Sequence, residues 1–258
     1  MLELWLRSGA AGIVLLPFIA LYAIAAAIVW LTHLSPARPF FASCIGIAGP
    51  FFASVAVLFS LFAAFLANDV QHRDAEAKGA LFREADGLRT IMRLAEGLGT
   101  TGDGAKAAAL SYAQDVLTKE LPAARVFDAV PQNLASVRNL TQALIAPQST
   151  SAIPEAVHEA MLDALVQIRQ ARLERLALTA GISDPMKWMA MLILGVLTQV
   201  AVAVVQLEKM RPQALALFVF TTAFAATVVL IGLSERPFSG LAIDDAVLRA
   251  TIASATAP

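Results

Sequence analysis

The chain has 258 residues, of which 58% are hydrophobic and 15% are charged. Soluble domains average about 45–50% apolar and about 25% charged residues, so this balance argues against a water-soluble protein. The net charge of -1 argues against a basic surface for nucleic acid, and the single cysteine, Cys44, excludes an intramolecular disulfide.

Four long stretches contain no charged residue, namely 9–32, 39–68, 188–207 and 212–234. A helix needs about 20 apolar residues to cross about 30 Å of hydrocarbon. The first stretch exceeds the h-region of a signal peptide, which has about 7–15 residues. Buried helices of a soluble core are the other alternative, but such helices rarely run so long without a charge. We predict an all-α integral membrane protein with four transmembrane helices in two hairpins.

The predicted organisation has four parts. An N-terminal transmembrane hairpin occupies 1–68, a helical cytoplasmic domain 69–185, a C-terminal hairpin 186–234 and a cytoplasmic tail 235–258. Lysine and arginine concentrate on the side that faces the cytoplasm. With four spans, the side that holds both termini carries Arg7, Arg73, Lys78, Arg83, Arg169, Arg172, Arg175, Lys187, Arg236 and Arg249. The opposite side carries only Arg38, Lys209 and Arg211, so we place the chain in the bacterial inner membrane with both termini and the central domain cytoplasmic.

The central domain has helical periodicity throughout, with apolar residues three and four positions apart. Residues 64–95 contain no proline and no polar loop, so the second span is expected to continue into the domain as one helix. Further helices are predicted over 106–121, ended by Pro122, over 132–145, and over 155–179.

The second span has two different faces when placed on a helical wheel. Small residues lie on one face, at Ala53, Ala56, Ser60, Ala63 and Ala67. The opposite face carries Phe51, Val55, Leu58, Phe62 and Phe65. Small residues allow helices to approach closely, so the alanine face is predicted to pack inside the protein. The aromatic face then contacts either lipid or a pore, where hydrophobic rings gate ion flow by dewetting.

Polar residues inside the third and fourth spans are few. Gln199 and Gln206 lie seven residues apart on one face, and Thr221, Thr222 and Thr227 follow in the fourth span. Such groups usually form hydrogen bonds between helices, and less often line an ion pathway. We expect the first role.

Arg169, Arg172, Glu174 and Arg175 form a basic strip on the last helix of the central domain. Two electrostatic partners are possible for it: anionic lipid headgroups, or the acidic residues Glu84 and Asp86. We favour the pairing within the chain.

The sequence contains no GxSxG, HExxH or Walker-type motif, and no GxGxxG that follows a predicted strand. With three histidines and only one cysteine, the chain also lacks the ligands of the common structural Cys/His zinc sites, which use two or more cysteines. We predict no catalytic, cofactor or metal site, and therefore not an enzyme.

The order of several short motifs resembles the bacterial bestrophin-like domain family. The motifs that carry the resemblance are Glu84 with Ala85, Tyr112 before Glu120, Leu121 and Pro122, the stretch 169–176, and the run from Glu235 through Pro237, Phe238, Ser239 and Gly240. Bestrophins proper are pentameric anion channels whose second helix lines the pore with hydrophobic residues. The resemblance therefore implies a homo-oligomer, with five copies as in bestrophins proper, that passes small ions through a lipid bilayer.

The family's calcium-binding run is only partly similar in this sequence. Ser239 interrupts the Pro-Phe-Gly motif, and only Asp244 and Asp245 follow it. A calcium site needs about 6–8 oxygen ligands, so the resemblance does not extend to calcium regulation.

Two hypotheses follow from the sequence. The preferred one is an oligomeric anion channel with its constriction at the five residues of the aromatic face. The alternative is a non-conducting membrane scaffold or sensor whose cytoplasmic helices bind a partner. Nucleic acid is not expected as a partner of either.

Overall fold

The computed structural model describes residues 5–6, 8–36, 39, 49–125, 135–145, 153–179, 183–235 and 245–256. Within them the protein is helical and contains no strand, which confirms the predicted all-α class. In chain order the principal helices are α1 (Gly9–His33), α2 (Gly49–Gly97), α3 (Asp103–Asp115), α4 (Leu121–Arg125), α5 (Ala135–Ile145), α6 (Glu155–Thr179), α7 (Pro185–Val205), α8 (Met210–Ser234) and α9 (Asp245–Thr256). A 3-10 turn at Gly99–Thr101 precedes α3, and a π-helical segment at Val116–Glu120 joins α3 to α4.

Four helices are long and apolar enough to cross a membrane. They are Ala11–His33, Ala53–Gly97, Pro185–Val205 and Met210–Ser234. Each of them overlaps one of the four predicted spans, so the prediction of four membrane-spanning helices is confirmed at the level of length and composition.

The chain divides into two compact units. The first, here called the membrane unit, comprises Met1–Gln71 and Ile182–Glu235. The second, called the charge-rich unit, comprises His72–Gly181 and Arg236–Pro258. Helix α2 contributes its N-terminal part to the membrane unit and its C-terminal part to the charge-rich unit.

Aromatic side chains contribute to the core of the membrane unit. Phe224 and Trp188 are almost completely buried there, together with Leu66 of α2. The ring of Phe59 meets that of Phe224 at 5.1 Å between centroids. Gly195 of α7 allows this packing, because a Cβ at that position would lie 2.1 Å from the Phe224 ring. The missing side chain therefore permits α7 and α8 to approach closely.

The charge-rich unit has a separate hydrophobic core. Leu81, Leu88 and Ile91 of α2 contribute to it, as do Met161 and Ile168 of α6. These residues follow the three- and four-residue spacing of one helix face, which is the pattern seen in the sequence.

Two sequence predictions about helix bounds are confirmed and one is wrong. Helix α2 runs without interruption for 49 residues, and α6 covers the predicted range 155–179. Pro122, in contrast, does not end a helix. The chain continues as α4 after the π-helical segment, because the wider π turn makes room for the proline ring.

Candidate functional site

The predicted pore-lining residues lie in the membrane part of α2. Leu58 is 46% exposed and Phe65 is 56% exposed. Val55 and Phe62 are half-buried, and Phe62 packs against the core of the membrane unit. Phe51 lies in the helix, but its side chain is outside the described residues. The predicted face therefore combines two largely exposed residues with two that are partly covered.

The buried stripe of α2 runs between the two faces that the sequence distinguishes. Ala63, Leu66 and Val70 are buried, and Phe59 contacts the aromatic rings of α8. Ala53 and Ser60, from the small-residue face, are exposed. The helix thus buries large side chains as well as alanines. Phe59 is partly buried because it packs against the Phe220 and Phe224 rings of α8. Val57 and Leu61 complete a wide exposed apolar surface on the other side.

Polar groups within the membrane unit bond to one another across helices. Gln199 Nε2 donates to Thr221 Oγ1 at 2.8 Å, and the hydroxyls of Tyr22 and Thr222 are 2.6 Å apart. Gln213 Nε2 donates to the Ala203 carbonyl at 2.8 Å. These contacts agree with the expected helix-bonding role. Gln206, however, lies just past the end of α7 and is exposed.

A buried carboxylate closes one end of the α7–α8 pair. Glu235 follows α8, is 4% exposed, and accepts a hydrogen bond from Trp188 Nε1 at 2.6 Å. It also accepts from the backbone N–H of Ser183 at 3.0 Å and from the Ser183 hydroxyl. The sequence marked Glu235 only as part of a motif. The sequence signal that could have predicted this buried carboxylate is the position of Glu235 directly after a charge-free span.

The charge-rich unit contains a buried cluster of ionised groups. Glu84, Glu120 and Arg175 are each 0% exposed, and Arg172 is 6% exposed. Arg175 Nε donates to Glu84 Oε2 at 2.8 Å, while its Nη2 lies 3.1 Å from Glu84 Oε1 and 2.5 Å from Glu120 Oε2. Arg172 donates to Glu120 Oε1 from Nε at 2.9 Å and from Nη2 at 2.6 Å. Two carboxylates and two guanidinium groups therefore balance in formal charge.

The π-helical segment explains how Glu120 reaches this cluster. In an uninterrupted α-helix Tyr112 and Glu120 would point about 80° apart, because each residue turns the helix by about 100°. The π turn at Val116–Glu120 rotates the chain less per residue, and both side chains face the core. Tyr112 donates its hydroxyl hydrogen to Glu84. The cluster therefore joins α2, α3, the π-helical segment and α6.

Burial and charge shift the titration of two members of the cluster. Burial raises the pKa of Tyr112 well above its ordinary value, and the negative charge of Glu84 raises it further. For Arg175, burial lowers the pKa, but Glu84 and Glu120 more than offset this and the net pKa is raised. Arg175 is therefore charged and Tyr112 neutral at physiological pH.

The predicted pairing of the basic strip with acidic residues of α2 is found for Arg175, whereas Arg172 has a partner outside α2. Arg175 pairs with Glu84, whereas Arg172 pairs with Glu120. Glu174 forms an exposed ion pair with Arg83 at 2.5 Å. Arg169 and Asp86 are both exposed.

Among the described residues, no group of three or more His, Cys, Asp or Glu side chains could hold a metal ion. Glu84 and Glu120, two of the predicted motif residues, are saturated by guanidinium groups, which suits a structural role. Pro122 lies in α4, as described above. Pro237, Phe238, Gly240 and Asp244 lie outside the described residues, as does the side chain of Asp245, the first residue of α9.

Comparison with known families and folds gives a consistent result. A family model described as the Bestrophin-like domain matches residues 19–243. The fold is similar to the crystal structure of a point variant of a bacterial bestrophin homolog from Klebsiella pneumoniae, with a TM-score of 0.69, 14% sequence identity, and coverage of 94% of this chain and 95% of that chain. A second structure of the bestrophin homolog from that organism, phased with zinc, gives a TM-score of 0.64 at 13% identity, with 94% of each chain covered. No curated protein matches the sequence.

Proposed function

The chain belongs to the bestrophin-like domain family, and from this premise we propose that it forms an oligomeric anion channel in the bacterial inner membrane. The observation that carries the proposal is the exposed apolar face of α2 in the membrane unit. Val57, Leu58, Leu61 and Phe65 are 44–65% exposed there. A helix that leaves so much apolar surface uncovered within one chain has room to face both lipid and a shared axis.

The constriction is proposed at the predicted residues of α2. Leu58 and Phe65 are seven residues apart, which places them two turns apart on the same side of the helix. Val55 and Phe62 lie beside them on the helix and are half-buried, so they pack next to the two constriction residues Leu58 and Phe65. Phe51 extends the same face toward the start of the helix. Copies of this face around an axis would form a dry hydrophobic constriction, which closes to ions by dewetting.

Chloride efflux from liposomes tests this proposal. Wild-type protein should conduct chloride, and Phe65→Ala should raise the efflux rate several-fold because a smaller side chain widens and wets the constriction. Phe62→Ala should act in the same direction with a smaller effect, since its ring is partly held by the core. A potassium efflux assay on the same vesicles reports whether anions are preferred.

Phe218→Ala is the matched control. Phe218 of α8 is 56% exposed, like Phe65, but lies on a different helix of the membrane unit. Its replacement should leave chloride efflux at the wild-type rate. If wild type and Phe65→Ala both fail to conduct, or if Phe218→Ala raises efflux as much as Phe65→Ala, the proposed constriction is wrong.

The proposed orientation places both termini and the charge-rich unit in the cytoplasm. Lysine and arginine residues are enriched near the ends of the spans on that side, and Lys187 at the start of α7 pairs with Asp69 of α2 at 2.9 Å. The activity needs no catalytic chemistry, so the proposal assigns no enzymatic role.

A further inference from the structure

Helix α6 carries apolar residues on two sides. One side is buried in the core of the charge-rich unit, through Met161, Leu165 and Ile168. A second side is here called the α6 outer seam, and it consists of Leu162, Val166, Arg169, Leu173 and Leu176. Leu162 lies at its edge, where it also packs against the core. Val166 is 52% exposed and Leu173 is 65% exposed. The five residues of the seam alternate in spacing between four and three residues, which is the spacing of a helix that packs along another helix.

Lipid is not the natural cover for this seam. Helix α6 is not one of the four candidate membrane spans, and Glu159 and Asp163 beside the seam are exposed and charged. An apolar stripe with a charged border on a water-exposed helix is typical of a protein interface.

A second exposed surface with the same spacing lies on α2, in the charge-rich unit. It consists of Ala75, Gly79, Phe82 and Asp86, and is here called the α2 outer face. Phe82 is 48% exposed, and Ala75 and Asp86 are also exposed. Ala75 and Gly79 are small, so leucine side chains of another helix can approach this face beside the Phe82 ring.

Contacts between α2 and α6 fix which residues of the two helices lie at the same height. Arg83 pairs with Glu174, and Glu84 with Arg175. Gly87 lies four residues after Arg83 on α2, and a Cβ at that position would lie 2.6 Å from Ile168, which lies six residues before Glu174 on α6. The helices are therefore antiparallel, with Phe82 nearly level with Leu173 and Asp86 nearly level with Arg169.

The charges on the two surfaces are complementary. Within the part of the chain that the structure describes, neither Asp86 nor Arg169 takes part in an ion pair or hydrogen bond. One is an acid at the edge of the α2 outer face, and the other is the only cation within the α6 outer seam. Asp86 and Arg169 lie at nearly the same height. Within one chain they face away from each other, because they lie on the outer sides of two helices that pack together.

We propose that the α6 outer seam of one copy of this chain packs on the α2 outer face of the next copy. This inference rests on the proposed oligomeric channel, because copies related by rotation about an axis parallel to the helices meet at equal height. Leu173 then contacts Phe82 of the neighbour, and Arg169 forms an ion pair with the neighbour's Asp86. The contact is head-to-tail, so each copy uses both surfaces, as a closed ring requires.

Disulfide crosslinking of the full-length protein tests the contact. Cys44 is first replaced by serine, and Asp86→Cys and Arg169→Cys are introduced into the same chain. Mild oxidation should produce a ladder of covalent oligomers on non-reducing gels, ending at the size of the closed ring. Each single-cysteine variant alone should give no ladder, and the two single variants expressed together should give covalent dimers and nothing larger.

A charge exchange gives an independent result. Arg169→Glu or Asp86→Arg alone should weaken assembly about tenfold or more, because like charges then face each other across the contact. The double variant Asp86→Arg with Arg169→Glu should recover assembly. Glu174→Arg is the matched control on α6; it disrupts the exposed pair with Arg83 of the same chain and should leave assembly unchanged.

Failure of this inference can be distinguished from failure of the proposed function. If the cysteine pair gives no ladder, or only an intrachain bond, while the protein still conducts chloride, the contact is wrong and the channel stands. If the ladder forms but no variant conducts, the contact stands and the channel is wrong. Unchanged assembly in both single charge variants would also overturn the contact.

Discussion

The buried ion pairs of the charge-rich unit depend on a few residues whose loss would leave an unpaired charge. Glu84→Gln removes the carboxylate that Arg175 contacts with two nitrogens. Breaking one partner of a buried pair costs about 3–5 kcal/mol, because the other charge stays buried. We expect chemical denaturation in detergent to show a loss of that size.

Glu174→Gln is the control for this prediction. Its partner Arg83 and Glu174 itself are about half exposed, at 48% and 47%. Exposed ion pairs contribute roughly 0–1 kcal/mol, so the control should change the free energy of unfolding by less than that. Equal losses in the two variants would show that the cluster does not stabilise the unit.

Tyr112 predicts a specific dependence of stability on pH. Its pKa is raised in the folded protein, chiefly by burial and then by Glu84. The stabilisation is therefore complete below the unfolded pKa of about 10 and is lost as pH rises toward the folded pKa, by up to about 1.4 kcal/mol per pH unit.

Tyr112→Phe removes this titration. The free energy of unfolding of the wild type should fall more steeply than that of Tyr112→Phe between about pH 10 and pH 11. Parallel pH profiles for the two proteins would contradict the assigned environment of Tyr112.

Part of this cluster could be predicted from sequence. The acidic residues on one helix and the basic strip on another indicated the pairing of Arg175 with Glu84. The involvement of Glu120 could not be predicted, because it depends on the π turn before Pro122, and the sequence suggested that this proline ends the helix. Asp86, which was equally acidic, lies on the opposite side of α2.

At the scale of helices, the continuity of α2 followed from the absence of breaking residues between 64 and 95. Its rotation in the membrane unit did not. The wheel distinguished small from large side chains, whereas the buried stripe depends on Phe220 and Phe224 of α8, which pack against Phe59. The identity of the neighbouring side chains, rather than the size of a helix's own residues, determines which face is buried.

The close approach of α2 and α6 makes Gly87 sensitive to substitution. A Cβ there would lie 2.6 Å from Ile168 Cγ1 and 3.1 Å from the Ala164 carbonyl oxygen. Gly87→Ala should therefore destabilise the protein by about 1–3 kcal/mol through overpacking.

Gly104→Ala is the matched control. Gly104 lies in the first turn of α3, and no atom lies within 4 Å of a Cβ at that position. Alanine should be neutral or stabilise the helix by up to about 1 kcal/mol. Thermal unfolding of both variants measures the difference; a stabilising Gly87→Ala would be inconsistent with the observed crossing of α2 and α6.

For the whole molecule, the proposed orientation predicts which residues are accessible from each side of the membrane. In a Cys44→Ser background, Lys209→Cys should react with a membrane-impermeant thiol reagent added to the periplasmic side. Glu174→Cys should react only after the inner membrane is permeabilised. The reverse pattern would invert the topology.

The overall architecture was largely available from the sequence. Charge-free stretches of about 20 residues or more are sufficient to predict membrane helices, because hydrocarbon tolerates few other structures. Interactions between copies are different, since the residues that form them look the same as lipid-facing or solvent-facing residues in one chain. For this reason Leu58 and Phe65 remain predicted pore residues.

The native mass of the detergent-solubilised protein tests the central claim most directly. A channel whose constriction is built from one α2 helix per copy requires a closed ring, and we expect a single species of about five copies. Native mass spectrometry or light scattering corrected for detergent measures this number. A protein that remains monomeric under mild conditions would contradict the account, because one α2 helix cannot surround a pore.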